Sequence, residues 1–131
     1  MIGLDTNVLV RYLTRDDPAE WALAAKLIRS LSSDSPGFLS LVVVAEIVWV
    51  LEYSYNFTKK SIEEVVDTLL RSKELIIERS DLVRQALRTF SVSRVDFADC
   101  LIEGCARAAA CSHTVTLDRK AAASIGMHLI S

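Results

Sequence analysis

Four acids occupy positions where a carboxylate needs an explanation: Asp5, Glu46, Asp99 and Asp118. Asp5 closes the apolar opening Met1-Ile2-Gly3-Leu4 and is followed by Thr6 and Asn7. Aspartate is a favoured helix N-cap, so capping is the bland account of it. Glu46 stands among Val42, Val43, Ala45, Ile47, Val48 and Val50, with valine at both i±4 positions where a basic partner could sit. An isolated buried carboxylate costs several kcal/mol, so Glu46 is expected to have a partner. Asp96, Asp99 and Glu103 fall within about a 60° arc of one helix, where like charges repel, or simply make a solvated face. Asp118 follows Thr116-Leu117 as turn or cap residues often do. As a set brought together, four such acids would repel strongly unless a hard cation neutralised them. Oxygen donors suit Mg²⁺ or Mn²⁺. The reaction best served by that chemistry is phosphodiester hydrolysis, in which metal ions activate water and stabilise the leaving oxygen.

The elements that must position these acids alternate between strands and helices. A strand is expected over Met1–Asp5, then a helix through about Leu13. Asp16-Asp17-Pro18 reads as a turn into a helix with Trp21, Ala24, Ala25, Ile28 and Leu31 at helical spacing. Ser33–Gly37 reads as a loop, Gly37–Leu39 as a brief strand and Ser40 as an N-cap. Leu41–Tyr55 is apolar nearly all round and is expected to be a buried helix. Thr58–Ser72 is an amphipathic helix, and Leu75–Ile77 a strand. Further helices are expected from Ser80, over Asp96–Ala110 and over Arg119–Ser124, with strands at His113–Thr116 and His128–Ile130. Alternation of this kind implies an α/β fold with crossover connections and a central, mostly parallel sheet flanked by helices. Sites in such sheets lie at the carboxyl ends of strands, which is where Asp5 and Asp118 fall.

The chain has 131 residues, about one domain's worth. No repeat or low-complexity linker divides it, so a single domain over 1–131 is expected. Apolar residues make up 51 % and mean hydropathy is +0.30, which fits a large core or apolar surface kept for a partner. The longest apolar stretch, Phe38–Leu51, falls short of the ~20 residues of a membrane span. The opening lacks a basic leader, and a cytoplasmic location is expected. Cys100, Cys105 and Cys111 form no Cys-x-x-Cys pair and read as free, buried thiols of one helix. A zinc site on Cys111 and His113 lacks further ligands. Net charge is −2 and pI about 5.7, so bulk charge does not advertise nucleic-acid binding, and only bound metal could invert the local field.

The segments carrying the acids also resemble the PIN domain, and within it the VapC toxins of bacterial and archaeal toxin–antitoxin pairs. Gly3-Leu4-Asp5-Thr6-Asn7-Val8-Leu9-Val10-Arg11-Tyr12-Leu13 resembles the first acidic block of that family. Ser40–Leu51, centred on Glu46, resembles the second. Asp96-Phe97-Ala98-Asp99-Cys100-Leu101-Ile102 resembles the third, with Asp99 as the family's acid, and Thr116-Leu117-Asp118-Arg119-Lys120 the fourth. The blocks span nearly the whole chain in the family's order. The resemblance implies a three-layer PIN-like fold and a metal-dependent endoribonuclease. It implies Asp5, Glu46, Asp99 and Asp118 as catalytic metal ligands, with Thr6, Asn7 and Thr116 in support and Asp96 as an auxiliary acid. Glu103 stands where the family usually has a small apolar residue, and is either an acid behind the ligands or a charge on a dimer surface. The implied partners are an RNA substrate, a small antitoxin that blocks the site, and a second copy of the chain, with no membrane.

Competing readings are weaker. A phosphoacceptor receiver domain needs paired acids after the first strand and a lysine after the last, whereas this chain has Asp5-Thr6-Asn7 and no lysine beyond Met127. Nucleotide-binding glycine loops are absent, Asn7 breaks the Asp-x-Asp of aspartyl phosphatases, and His113 and His128 lack a Ser or Cys nucleophile motif. An RNA-processing nuclease without an antitoxin and a non-catalytic PIN-like binding module remain as alternatives. Degenerate members usually lose acids, and here all four are present.

Overall fold

The structure is a computed structural model that describes residues 1–130. It divides into two compact units, Met1–Ser80 and Asp81–Ser131. Among the described residues there are seven helices and five short strands, and every strand pairing is parallel.

The first unit is built as β1 (Ile2–Gly3), α1 (Thr6–Thr14), α2 (Pro18–Ser30), β2 (Gly37–Leu39), α3 (Leu41–Tyr55), α4 (Lys59–Arg71) and β3 (Leu75–Ile77). Its sheet has the order β1-β2-β3, with Ile2 opposite Gly37 and Phe38 opposite Ile76. Each crossover consists of a helix pair. Helix starts follow local chemistry: Asp17 caps α2 with Pro18 at its first turn, Ser40 caps α3 and Thr58 caps α4. Helix α1 packs on α2 and α3, and α3 on α4. The apolar rows bury Leu9, Leu39, Val44, Ile47, Leu51, Ile62 and Val66. Gly37 is required by a close approach, because a Cβ there would lie 2.7 Å from Leu4 Cδ1.

The second unit comprises α5 (Ser80–Val92), whose first residue closes the first unit, then α6 (Phe97–Ala108), β4 (Val115–Thr116), α7 (Arg119–Ile125) and β5 (His128–Leu129). Strands β4 and β5 pair in parallel around α7, which ends at Gly126 with φ +79°. Phe90 of α5 meets Phe97 of α6 edge-on at 5.8 Å.

Strands are shorter than the sequence suggests. β1 ends at Gly3, although Leu4 N–H still donates to Phe38 O, because Asp5 leaves the ladder to cap α1. Two further expectations are corrected. Helix α3 is not buried all round: Val44, Ile47, Val48 and Leu51 face the core, while Val42, Trp49 and Tyr53 are exposed. An all-apolar helix hides its orientation, since periodicity no longer marks a face. Of the cysteines, Cys100 is buried, Cys105 half-buried and Cys111 exposed, because α6 stops at Ala108 and leaves Cys111 outside it. All three are free thiols.

Candidate active site

In the first unit, Asp5 and Glu46 meet through Thr6. Asp5 is the N-cap of α1, and its Oδ1 accepts the Thr6 N–H at 2.8 Å. The buried Thr6 hydroxyl donates to Glu46 Oε1 on α3. Capping and site chemistry thus coexist at Asp5, since the cap uses one carboxylate oxygen and, among the described residues, Oδ2 has no hydrogen-bond partner. Asp5, Thr6, Asn7 and Glu46 all line one open cleft, whose remaining wall includes Arg11 and Tyr55. Glu46 is exposed, not buried. The expectation of a desolvated Glu46 fails because it lies on the α3 stripe that includes the exposed Val42, Trp49 and Tyr53; its partner is a hydroxyl and not a cation.

In the second unit, Asp96 is the N-cap of α6 without a side-chain cap bond, and Asp99 stands in the first turn. Burial, then the charges of Asp96 and Asp118, push the Asp99 carboxyl above the usual carboxylate range. Asp118 caps α7, its Oδ1 accepting from Lys120 N at 2.8 Å and Ala121 N at 3.4 Å. Among the described residues its Oδ2 has no hydrogen-bond partner. Thr116 Oγ1 accepts the Asp118 N–H at 3.0 Å, which sets the turn from β4 into α7. Glu103 is held by Arg107 at 2.8 Å one turn along α6, an ordinary i,i+4 pair.

Among the described residues no three His, Cys, Asp or Glu side chains form a group that could hold a metal ion. The donor chemistry nevertheless fits a hard divalent cation. The four acids offer only carboxylate oxygens. Both caps leave one oxygen without a hydrogen-bond partner among the described residues, and Asp99 carries like-charge stress that a cation would relieve.

The sequence reading missed the basic corner of the cleft. Arg11 Nε donates to Glu20 Oε1 at 2.6 Å, and Arg11 Nη1 to Tyr55 Oη at 3.1 Å and Asp16 Oδ1 at 3.4 Å. Tyr55 Oη donates to Asp16 Oδ2 at 2.7 Å. Asp16 is held below the usual carboxylate range by the Tyr55 and Thr14 hydroxyls, then by Arg11, and Arg11 is raised chiefly by Glu20. One signal was available: Asn7 and Arg11 are i,i+4 neighbours on α1 and share a face.

Comparison with known proteins identifies the family. The PIN domain profile matches residues 2–124, a span that includes all four acids. A VapC ribonuclease from Aquifex aeolicus (strain VF5) is 28 % identical over 98 residues, covering 75 % of this chain and 73 % of that protein. Among the described residues no helix is long and apolar enough to cross a membrane. With a profile matched over nearly its full length, this chain belongs to the PIN domain family.

Proposed function

We propose that this chain is a metal-dependent endoribonuclease of the VapC type, one nuclease domain over residues 1–131 acting in the cytoplasm. The observation that carries the reading is the Asp5–Thr6–Glu46 linkage in an open cleft, with Asp5 Oδ2 left without a hydrogen-bond partner among the described residues. Asp5, Glu46, Asp99 and Asp118 would hold Mg²⁺ or Mn²⁺, which when bound supplies an activated water and neutralises charge on the scissile phosphate. Thr6 orients Asp5 and Glu46, Thr116 orients the Asp118 turn, and Asn7 presents an amide at the same cleft wall. Asp96 adds negative charge beside Asp99 and so favours a bound cation there.

The 28 % identical VapC ribonuclease supports an RNA substrate and, by its type, a small antitoxin partner. A homodimer is the further expectation. Its support is apolar surface on α3, where Val42 is 73 %, Trp49 58 % and Tyr53 59 % exposed.

Incubation of the purified chain with single-stranded RNA tests the reading. Cleavage is expected with Mn²⁺, none with EDTA, and restoration when Mn²⁺ is returned in excess. Cleavage undiminished in EDTA would overturn metal dependence, and no cleavage of any RNA with Mn²⁺ would favour a non-catalytic module.

A further inference from the structure

An acidic chain that cuts RNA must still hold a polyanion next to its own carboxylates. Metal at the acids neutralises the scissile phosphate, but the neighbouring phosphates need donors of their own. Among the described residues lining the cleft that holds Asp5 and Glu46, Arg11 is the one cation.

The attachment of Arg11 is that of a side chain fixed in place with donors to spare. Its guanidinium has five N–H groups. Three are used: Nε on Glu20, and the two of Nη1 on Tyr55 and Asp16. Among the described residues the two N–H groups of Nη2 have no hydrogen-bond partner. Asp16 in the α1–α2 turn, Glu20 on α2 and Tyr55 at the end of α3 hold Nε and Nη1 and leave the Nη2 donors free. Stability does not account for this arrangement. The Arg11 side chain is 36 % exposed and those of its acid partners 46 % and 53 %, and ion pairs that exposed contribute about 0–1 kcal/mol. Restraint does account for it: an arginine already immobilised by its neighbours loses little freedom when it binds an anion.

Building on the nuclease reading, we propose that Arg11 binds a backbone phosphodiester of the RNA strand adjoining the cleaved bond, through the free N–H groups of Nη2. The chemistry shared with other ligands is that of phosphate oxygens accepting N–H bonds from Nη2 of a planar, permanently charged and already anchored guanidinium, which lysine does not reproduce.

The test is binding of a fluorescein-labelled single-stranded RNA oligonucleotide by fluorescence anisotropy, with Ca²⁺ in the buffer and strand integrity checked on a gel. Wild type, Arg11→Gln and Arg11→Lys are compared over a salt series, with thermal melting alongside. Loss of one phosphate contact is expected to raise Kd about tenfold in Arg11→Gln. It should also flatten the slope of log K against log salt by about 0.7, the single-strand value for one phosphate. Arg11→Lys keeps the charge without the fork, so its slope should match wild type while its affinity falls severalfold. Arg11→Lys also keeps the test decisive if Arg11→Gln does not fold. Inorganic phosphate at matched ionic strength should not displace the strand; displacement at millimolar phosphate would reassign the Nη2 donors to small anions and overturn the proposal. Unchanged affinity and slope in Arg11→Gln, with a lower melting temperature, would make Arg11 a structural tie alone and leave the nuclease reading standing. Wild type that binds no RNA would remove that reading and this inference together.

Discussion

At the scale of single residues, two aspartates do double duty. Asp5 and Asp118 each cap a helix with Oδ1 and leave Oδ2 without a hydrogen-bond partner among the described residues. Asn caps as well as Asp, so Asp5→Asn should keep the unfolding free energy within about 0.5 kcal/mol of wild type. RNA cleavage should nonetheless fall roughly 10²-fold or more, the size of losing one charge-stabilising group at a reacting centre. Undiminished turnover in the folded variant would remove Asp5 from the catalytic set. Asp99 and Asp16 make opposite predictions about pH. The Asp99 carboxyl is raised by burial and by Asp96 and Asp118, so the folded state holds its proton more tightly than the unfolded chain. Its stability is therefore fully present below the ordinary value near pH 4 and declines as pH rises through the raised one. Asp99→Asn in EDTA should melt higher than wild type at pH 7.5 and show little difference at pH 4. Asp16 is lowered by Tyr55 and Thr14, so its contribution is present above pH ~4 and lost as pH falls through the lowered value. Asp16→Asn should therefore lower the melting temperature near neutrality and leave it unaltered in strong acid. Melting curves from pH 2 to 8 check both signs.

At the scale of elements, legibility in the sequence followed how much local chemistry each segment carries. Thr58–Ser72 was readable because Ile62, Val66 and Leu69 repeat on one face and Thr58 caps the start. Asp17-Pro18 announced α2 in the same way. Helix α3 was readable as a helix but not in orientation, because valines at 42, 43 and 44 and isoleucine at 47 give no polar face to exclude. Its exposed stripe is what a dimer would use. Trp49→Glu should convert a dimer to a monomer in light scattering at tens of micromolar, with the melting temperature little changed because Trp49 is 58 % exposed. A wild-type monomer at that concentration would refute the homodimer. Gly37 is a second element-scale constraint. Gly37→Ala must push Leu4 and Leu31 aside where β2 passes them, and overpacking of that kind costs about 1–3 kcal/mol in denaturant melts.

At the scale of the whole molecule, the acid set was legible as residues and not as geometry. The order Asp5, Glu46, Asp99, Asp118 along alternating strands and helices carried the family resemblance, and the profile match over residues 2–124 bears it out. Invisible in the sequence were the Thr6 bridge to Glu46 and the Arg11–Glu20–Asp16–Tyr55 corner. Both rest on side chains that meet across as many as 44 residues, a pairing no local pattern encodes. Asp5 in the first unit and Asp118 in the second are each proposed as metal ligands. Metal binding to the folded state alone would stabilise it by about 2.7 kcal/mol at a hundredfold excess over Kd. The most direct test is titration of Mn²⁺ into wild type, Asp5→Asn and Asp118→Asn, followed by calorimetry at pH 7.5. The account predicts Mn²⁺ binding by wild type and at least tenfold weaker binding in Asp5→Asn and in Asp118→Asn. Wild-type affinity retained in either variant would contradict it.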